Sequence, residues 1–132
     1  MVRNLFIEAT ECTPNIRFDA EKDTLEIRGS SYPENTSEFY GPIFFWLEEY
    51  FRHLRNNTVV VNLEPVYFNS NSWKVMQGFF EVLDSVTAKR GAISVNWFYE
   101  NDEEDMVEYG KEFQKEFPRM TFTFIQKFHG PI

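Results

Sequence analysis

The chain has 132 residues, and with 42% hydrophobic residues, including 15 phenylalanines, it can build the core of one ordinary domain, which we expect over residues 1–132. A net charge of −8 argues against nucleic acid as a partner, because contact with a phosphate backbone requires surplus lysine and arginine. The same charge favours a partner protein that has a basic face. A single cysteine, Cys12, excludes an internal disulfide, and with two histidines there is no Cys/His cluster for zinc.

Three short strands are predicted near the N-terminus. Leu5 and Ile7 alternate with polar neighbours, and residues 16–18 form a second apolar run. The polar residues 19–23 then separate that run from residues 25–28, which suits a hairpin turn. We therefore expect the sheet to begin with antiparallel strands.

The first helix is predicted to begin at Asn35, because Asn35 and Glu38 have the spacing of a capping box. Pro42 lies inside the helical pattern and lacks a backbone donor, so a kink or a broken first turn is expected near Gly41. The apolar positions follow the helical period and predict a core-facing stripe: Phe39, Tyr40, Ile43, Phe44, Leu47, Tyr50, Phe51 and Leu54.

The middle of the chain predicts a strand, a polar turn and a second helix. Residues 59–63 are mostly β-branched and indicate a buried strand. After the polar turn the helix should end at Lys89, Arg90 and Gly91, since basic residues in the last turn and a following glycine favour a helix stop. Its apolar positions are Val75, Met76, Phe79, Leu83 and Val86.

Residues 93–99 alternate as another strand, and a third helix is predicted from Asn101, which has capping-box spacing with Glu104, to Pro118. Phe122 and Phe124 mark a final strand. Strands and helices in this order predict an α/β fold with a mixed, mostly parallel sheet, right-handed crossovers and about three helices, or α+β if the N-terminal strands dominate.

The candidate functional site is the polar turn at residues 69–72. It places two hydroxyls and two amides at a helix start, where unpaired N–H groups and the helix dipole favour an anion such as phosphate. Asn and Ser are also the residues that cap helices, so the turn also suits a loop that satisfies the first helical turn, and spacing alone favours this second interpretation. The spacing of these residues leaves both interpretations open.

An acidic segment containing Asp102, Glu103 and Asp105 is expected at the same edge of the sheet. If the strands at 59–63 and 93–99 are parallel, the loops that leave their carboxyl ends emerge together, where open α/β sheets place functional groups. A phosphate on Ser70 would add about −1.5 to −2 charges to this rim and would displace a partner that requires a neutral one. The acidic run also suits a solvated helix start.

No glycine-rich phosphate loop, metal-binding helix, nucleophile elbow or kinase signature is present, so we expect a protein without enzymatic activity or cofactor. Two alternatives remain. One is a small metal-dependent enzyme that uses the carboxylates of residues 100–105, although the EF-hand pattern is missing. The other is a constitutive adaptor that binds through exposed aromatic residues such as Trp73.

No run reaches the roughly 18 apolar residues of a membrane span, and residues 1–5 lack the apolar stretch of a secretion signal. We therefore expect a cytoplasmic protein that does not insert into membranes.

Several motifs, specific in combination, carry a family resemblance: residues 7–10 with Thr13-Pro14, Ser31-Tyr32-Pro33-Glu34-Asn35, Trp46-Leu47-Glu48, residues 67–74 with Asn-Ser-x-Ser-x-Lys, and Trp97-Phe98-Tyr99 with Asp105-Met106. In these the chain resembles the SiaC-type bacterial regulatory phosphoproteins, which are similar in architecture to the STAS domains of anti-sigma-factor antagonists.

The resemblance implies a partner-switching phosphoprotein that a dedicated Ser/Thr kinase modifies and a PP2C-like phosphatase resets. Its unmodified form would bind and activate a diguanylate cyclase, linking it to cyclic-di-GMP signalling and biofilm formation. The implied phosphoacceptor is Ser70, which follows the turn asparagine, with Ser72 as the alternative. The implied supporting or partner-binding residues are Asn69, Asn71, Ser72, Trp73, Lys74, Tyr99, Asp102, Glu103 and Asp105.

Overall fold

The computed structural model describes residues 2–89, 91–100 and 102–127. The strands are β1 (Leu5–Ile7), β2 (Asn15–Asp19), β3 (Thr24–Ser31), β4 (Val59–Phe68), β5 (Ile93–Glu100) and β6 (Thr121–Lys127). The helices are α1 (Thr36–His53), α2 (Ser70–Lys89) and α3 (Glu104–Glu116). Each helix connects two consecutive strands between β3 and β6, as the order of apolar patterns predicts.

The described strands form one sheet in the order β1-β2-β3-β4-β5-β6. The first three strands are antiparallel, and the pairs β3–β4, β4–β5 and β5–β6 are parallel. The predicted α/β class with a mixed, mostly parallel sheet is therefore confirmed.

Strand register separates an apolar face from a polar face. One registered row across β2 to β6 is entirely buried and apolar: Phe18, Leu25, Val61, Val95 and Phe122. The adjacent row is polar: Arg17, Glu26, Asn62, Asn96 and Thr123. Because neighbouring residues of a strand point to opposite faces, these rows lie on opposite sides of the sheet.

All three helices pack against the apolar face. The ring of Trp46 in α1 lies 5.3 Å from that of Phe18. Phe80 in α2 stacks on Phe122 at 5.5 Å, and in α3 Phe113 lies 6.1 Å from Trp97. The helices therefore form one layer, and the crossovers that connect the parallel strands share one hand.

Helix α1 begins where it was predicted, because Asn35 accepts a hydrogen bond from the Glu38 N–H at 3.0 Å. The predicted broken turn near Gly41 is wrong, since α1 continues through Pro42 to His53. The alternative, a kink at this point, stays a prediction. Gly41 and Pro42 are both exposed, so water can satisfy the carbonyl that loses its donor, while the buried face of the helix keeps its packing.

Two other boundaries differ from the sequence prediction. Strand β4 extends past residue 63 to Phe68, because its last residues pair with Ser30 and Ser31 of β3 beyond a bulge. Helix α3 begins at Glu104, with Glu103 as the cap residue. The predicted cap Asn101 and the helix-stop residue Arg90 lie outside the described residues. Among the described helices, none is both long and apolar enough to cross a membrane.

Gly110 in α3 allows the helix to lie close to the sheet. A Cβ atom at this position would lie 2.6 Å from Phe124 Cε1 and 2.9 Å from Trp97 Cδ2. Trp97 is fully buried, and its indole N–H donates to the Met106 carbonyl at 3.0 Å. The ring therefore has little freedom to move away.

We predict that Gly110→Ala destabilises the protein by about 1–2 kcal/mol, because overpacking costs more than the roughly 1 kcal/mol that alanine gains over glycine in a helix. Gly78→Ala is the matched control, because its added Cβ would meet Phe44 Cζ at an ordinary 3.9 Å. Urea denaturation measures both free energies of unfolding. A Gly110→Ala protein as stable as the Gly78→Ala protein would contradict the close approach.

Candidate functional site

Asn69 joins the end of β4 to the start of α2. Its side-chain oxygen accepts a hydrogen bond from the Ser72 N–H at 2.9 Å, and its carbonyl accepts one from the Trp73 N–H at 3.0 Å. Its own N–H donates to the Ser31 carbonyl at 3.1 Å. The capping interpretation of the turn therefore holds for Asn69, which satisfies the first helical turn and anchors it to β3.

Ser70 is the first residue of α2, and it is exposed, as is Asn71. No hydrogen bond of the Ser70 hydroxyl is found within the described residues. Its Oγ thus lies at the helix start, where backbone N–H groups lack intrahelical partners and the dipole favours negative charge.

Ser72 lies in the opposite environment. Residues two positions apart on a helix are separated by about 200° around the axis, so Ser70 and Ser72 cannot both face solvent when one side of the helix packs on the core. Ser72 is fully buried, and its Oγ lies 2.8 Å from Ser31 Oγ. The Ser70 side chain is therefore exposed at the protein surface, whereas that of Ser72 is buried.

Three buried hydroxyls connect the start of α2 to the rest of the fold. Ser31 Oγ, at the end of β3, is hydrogen bonded both to Ser72 Oγ and to Tyr40 OH, at 2.8 Å and 2.6 Å. We call Ser31, Tyr40 and Ser72 the hydroxyl triad. Burial raises the pKa of the Tyr40 phenol, and the hydrogen bond with Ser31 offsets part of that rise. The triad therefore stays uncharged and fixes the start of α2 against β3 and α1.

One turn beyond Ser70, α2 forms a groove with α3. Trp73 stacks on Tyr109, with ring centroids 3.9 Å apart and an interplanar angle of 12°. Lys74 and Asp105 line the same groove, which encloses about 630 Å³. The fold thus brings Asp105 of α3 next to Trp73 and Lys74 of α2, about thirty residues earlier in the sequence.

The remaining acidic residues lie around the start of α3. Asp102 is exposed in the preceding turn, and the Glu103 carboxylate accepts a hydrogen bond from the Glu100 N–H at 3.0 Å. Tyr99 is half-buried and lines a second groove together with Glu103. Across the ranges that the structure describes, no group of three or more His, Cys, Asp or Glu side chains is placed to hold a metal ion; Asn101 lies outside these ranges.

The sequence does not single out Ser31, Tyr40 or Tyr109 as members of this region. Ser31 is the last residue of β3 and is completely buried. Tyr40 belongs to the predicted apolar stripe of α1. The one available signal for Tyr109 was an aromatic residue on an acidic, polar helix, four positions after Asp105.

Comparison with known proteins gives consistent matches over most of the chain. The model of the SiaC family regulatory phosphoproteins matches residues 7–127. An uncharacterized protein of Pseudomonas aeruginosa strain UCBPP-PA14 is 28% identical over 113 residues, which cover 86% of this chain and 89% of that protein.

Solved structures show the same similarity. The crystal structure of apo-SiaC from Pseudomonas aeruginosa matches with a TM-score of 0.78 and 28% sequence identity, covering 94% of this chain and 98% of that chain. A chain in the crystal structure of the diguanylate cyclase SiaD in complex with its activator SiaC, from the same organism, matches with a TM-score of 0.81 and 28% identity, covering 95% and 99%.

We predict that Ser31→Ala destabilises the protein more than Ser72→Ala does. Removing the Ser31 hydroxyl takes a partner from two buried hydroxyls, at about 1–3 kcal/mol for each group left unsatisfied, whereas Ser72→Ala leaves the contact between Ser31 and Tyr40 in place. Urea denaturation of both variants tests the order. The exposed Ser70→Ala is the control and should change stability by less than about 0.5 kcal/mol. Equal losses for Ser31→Ala and Ser72→Ala would contradict the central position of Ser31.

Proposed function

The chain belongs to the SiaC family of regulatory phosphoproteins, and we propose that it is a non-enzymatic signalling protein whose partner binding is switched by phosphorylation of Ser70. The family match over residues 7–127 supports a regulatory role. The observation that carries the choice of residue is the contrast between the two candidate serines, because Ser70 is exposed at the start of α2 and Ser72 is sealed in the hydroxyl triad.

The start of α2 suits a phosphate. Negative charge at a helix N-terminus is stabilised by about 0.3–1 kcal/mol at exposed sites, and free N–H groups of the first turn can donate to phosphate oxygens. Lys74, four residues after Ser70, is exposed on the same side of the helix and can pair with the phosphate. The modified residue would therefore sit in the folded protein without disrupting α2.

The same phosphate would change the surface that a partner meets. It would add about −1.5 to −2 charges near neutral pH to a face that already carries Asp102, Glu104 and Asp105 at the start of α3. A partner that covers the neutral Ser70 hydroxyl would have to desolvate this charge, and any acidic group of the partner would be repelled. Phosphorylation would then release the partner without a rearrangement of the fold.

A diguanylate cyclase is the partner that we propose. The support is the structural similarity to the complex of the cyclase SiaD with its activator SiaC. In this proposal the unmodified chain binds and activates a cyclase of its own host, a dedicated Ser/Thr kinase adds the phosphate, and a PP2C-like phosphatase removes it. The exposed neighbours Asn71 and Lys74 and the half-buried Trp73 would contribute to the partner surface.

Incubation with that kinase and ATP should label Ser70, and peptide mapping by mass spectrometry should place a single phosphate on the peptide that contains it. Ser70→Ala should abolish the label. Ser37 is the matched control, because it is also an exposed serine in the first turn of a helix. Phosphate found on Ser72 or Ser37, with Ser70 unmodified, would overturn the assignment.

Binding to the cyclase should follow the charge at residue 70. We expect Ser70→Ala to bind like the unmodified protein and Ser70→Asp to bind at least about tenfold more weakly, a difference of about 1.4 kcal/mol. Isothermal titration calorimetry with the purified cyclase measures both, and Ser37→Asp should bind normally. Equal affinities of the Ala and Asp variants at residue 70 would contradict a switch by charge.

A further inference from the structure

We propose that the groove between α2 and α3 binds a basic amphipathic helix of a partner protein, at a surface that borders the Ser70 switch. We call it the α2–α3 groove. The residues that line it are Trp73, Lys74, Gln77, Asp105, Glu108, Tyr109, Glu112, Phe113 and Glu116. Ser70 is not among them, and only Trp73 and Lys74 also belong to the proposed switch surface, so the groove extends beyond the proposed phosphorylation switch.

The floor of the α2–α3 groove is aromatic and partly open to solvent. Trp73 stacks on Tyr109 at 3.9 Å and lies 6.3 Å from the buried ring of Phe113. Tyr109 is 41% exposed, which is high for a large aromatic side chain that already has a stacking partner. Exposed aromatic side chains in a concave site are typical anchors for apolar groups of a partner.

The α3 wall of the groove is strongly acidic. Its carboxylates recur every three or four residues and therefore lie along one side of the helix: Asp105, Glu108, Glu112 and Glu116. Lys74 of α2 is the one basic residue among the lining residues. An acidic ladder beside an aromatic floor is complementary to a partner that presents lysine or arginine next to apolar side chains.

The shape of the groove favours a helix over an extended segment. The wall from Asp105 to Glu116 is about 16 Å long at 1.5 Å per residue, which corresponds to about three turns of a partner helix. All of the lining residues belong to α2 and α3, so the groove offers no strand edge for backbone pairing. A helix satisfies its own backbone groups and can bind through side chains alone.

The far end of the groove is defined by a contact between its walls. Gln77 of α2 donates a hydrogen bond to Glu116 of α3 at 2.6 Å. This contact and the stack of Trp73 on Tyr109 both connect α2 to α3 in the unbound chain. The groove is therefore present before any partner arrives, which lowers the entropic cost of binding.

The electrostatics of the groove also separate it from the switch. A phosphate on Ser70 has the same sign as the carboxylates of α3, so it would not repel a basic helix. Binding to the α2–α3 groove should thus survive the modification that releases a partner from Ser70.

The test uses a synthetic amphipathic peptide about four turns long, with lysines on one face and leucines on the other, titrated into the full chain. We expect binding that weakens as salt is added, together with a change in tryptophan fluorescence, because Trp73 is half-buried while Trp46 and Trp97 are buried. The double variant Glu108→Lys/Glu112→Lys should bind at least about tenfold more weakly.

A control variant distinguishes binding of the peptide in the groove from nonspecific attraction to the overall negative charge of the protein. Glu11→Lys/Glu34→Lys makes the same change in net charge at two exposed loop residues outside the groove, and it should bind the peptide nearly as well as the wild type. Equal weakening by the two double variants, or no binding of the lysine peptide, would overturn the proposal. Ser70→Asp should bind the peptide at least as tightly as the wild type does, so failure of the groove and failure of the switch give different results.

Discussion

The hydroxyl triad is the contact on which the geometry of the candidate site depends. Ser31 ends β3, Tyr40 lies in the second turn of α1 and Ser72 lies in the first turn of α2, and all three side chains are buried. An unpaired hydroxyl in this environment costs about 1–3 kcal/mol, so the three groups must meet in one arrangement. That requirement fixes the rotation of α2 about its axis and thereby turns Ser70 toward solvent.

Strand register has a comparable effect on the whole molecule. Apolar residues align in rows across one face of the sheet, and all three helices pack on that face and bury these rows. The opposite face carries a set of charged side chains in which Arg28 pairs with Glu26 and Glu64, and Lys127 also binds Glu64, at 2.9 Å. Because the parallel strands point the same way, α2 and α3, which follow β4 and β5, begin at the same edge of the sheet. The start of α3 therefore lies at the same edge as the turn that holds Ser70.

The start of α2 combines buried anchoring contacts with a small exposed surface. Asn69, the hydroxyl triad and the stack of Trp73 on Tyr109 hold the start of α2 in place, while Ser70 and Asn71 remain exposed. Adding a charge at such a position changes what the surface can bind and leaves the packing beneath it intact. The acidic α2–α3 groove lies one turn further along the same helix and offers a surface on which that charge has a different effect.

Local patterns in the sequence determined the fold class, the order of strands and helices, and the capping of α1 by Asn35. They also located the turn at residues 69–72 and the acidic segment that follows β5, because hydrophobic period, capping spacing and turn composition are properties of a few neighbouring residues. The tertiary structure decided which serine is available. Ser70 and Ser72 share the same local pattern, and they differ because Ser72 meets Ser31, 41 residues earlier in the chain. It also decided that Tyr109 stacks on Trp73 and that Gly110 contacts Trp97 and Phe124, since such contacts arise only when distant segments pack together.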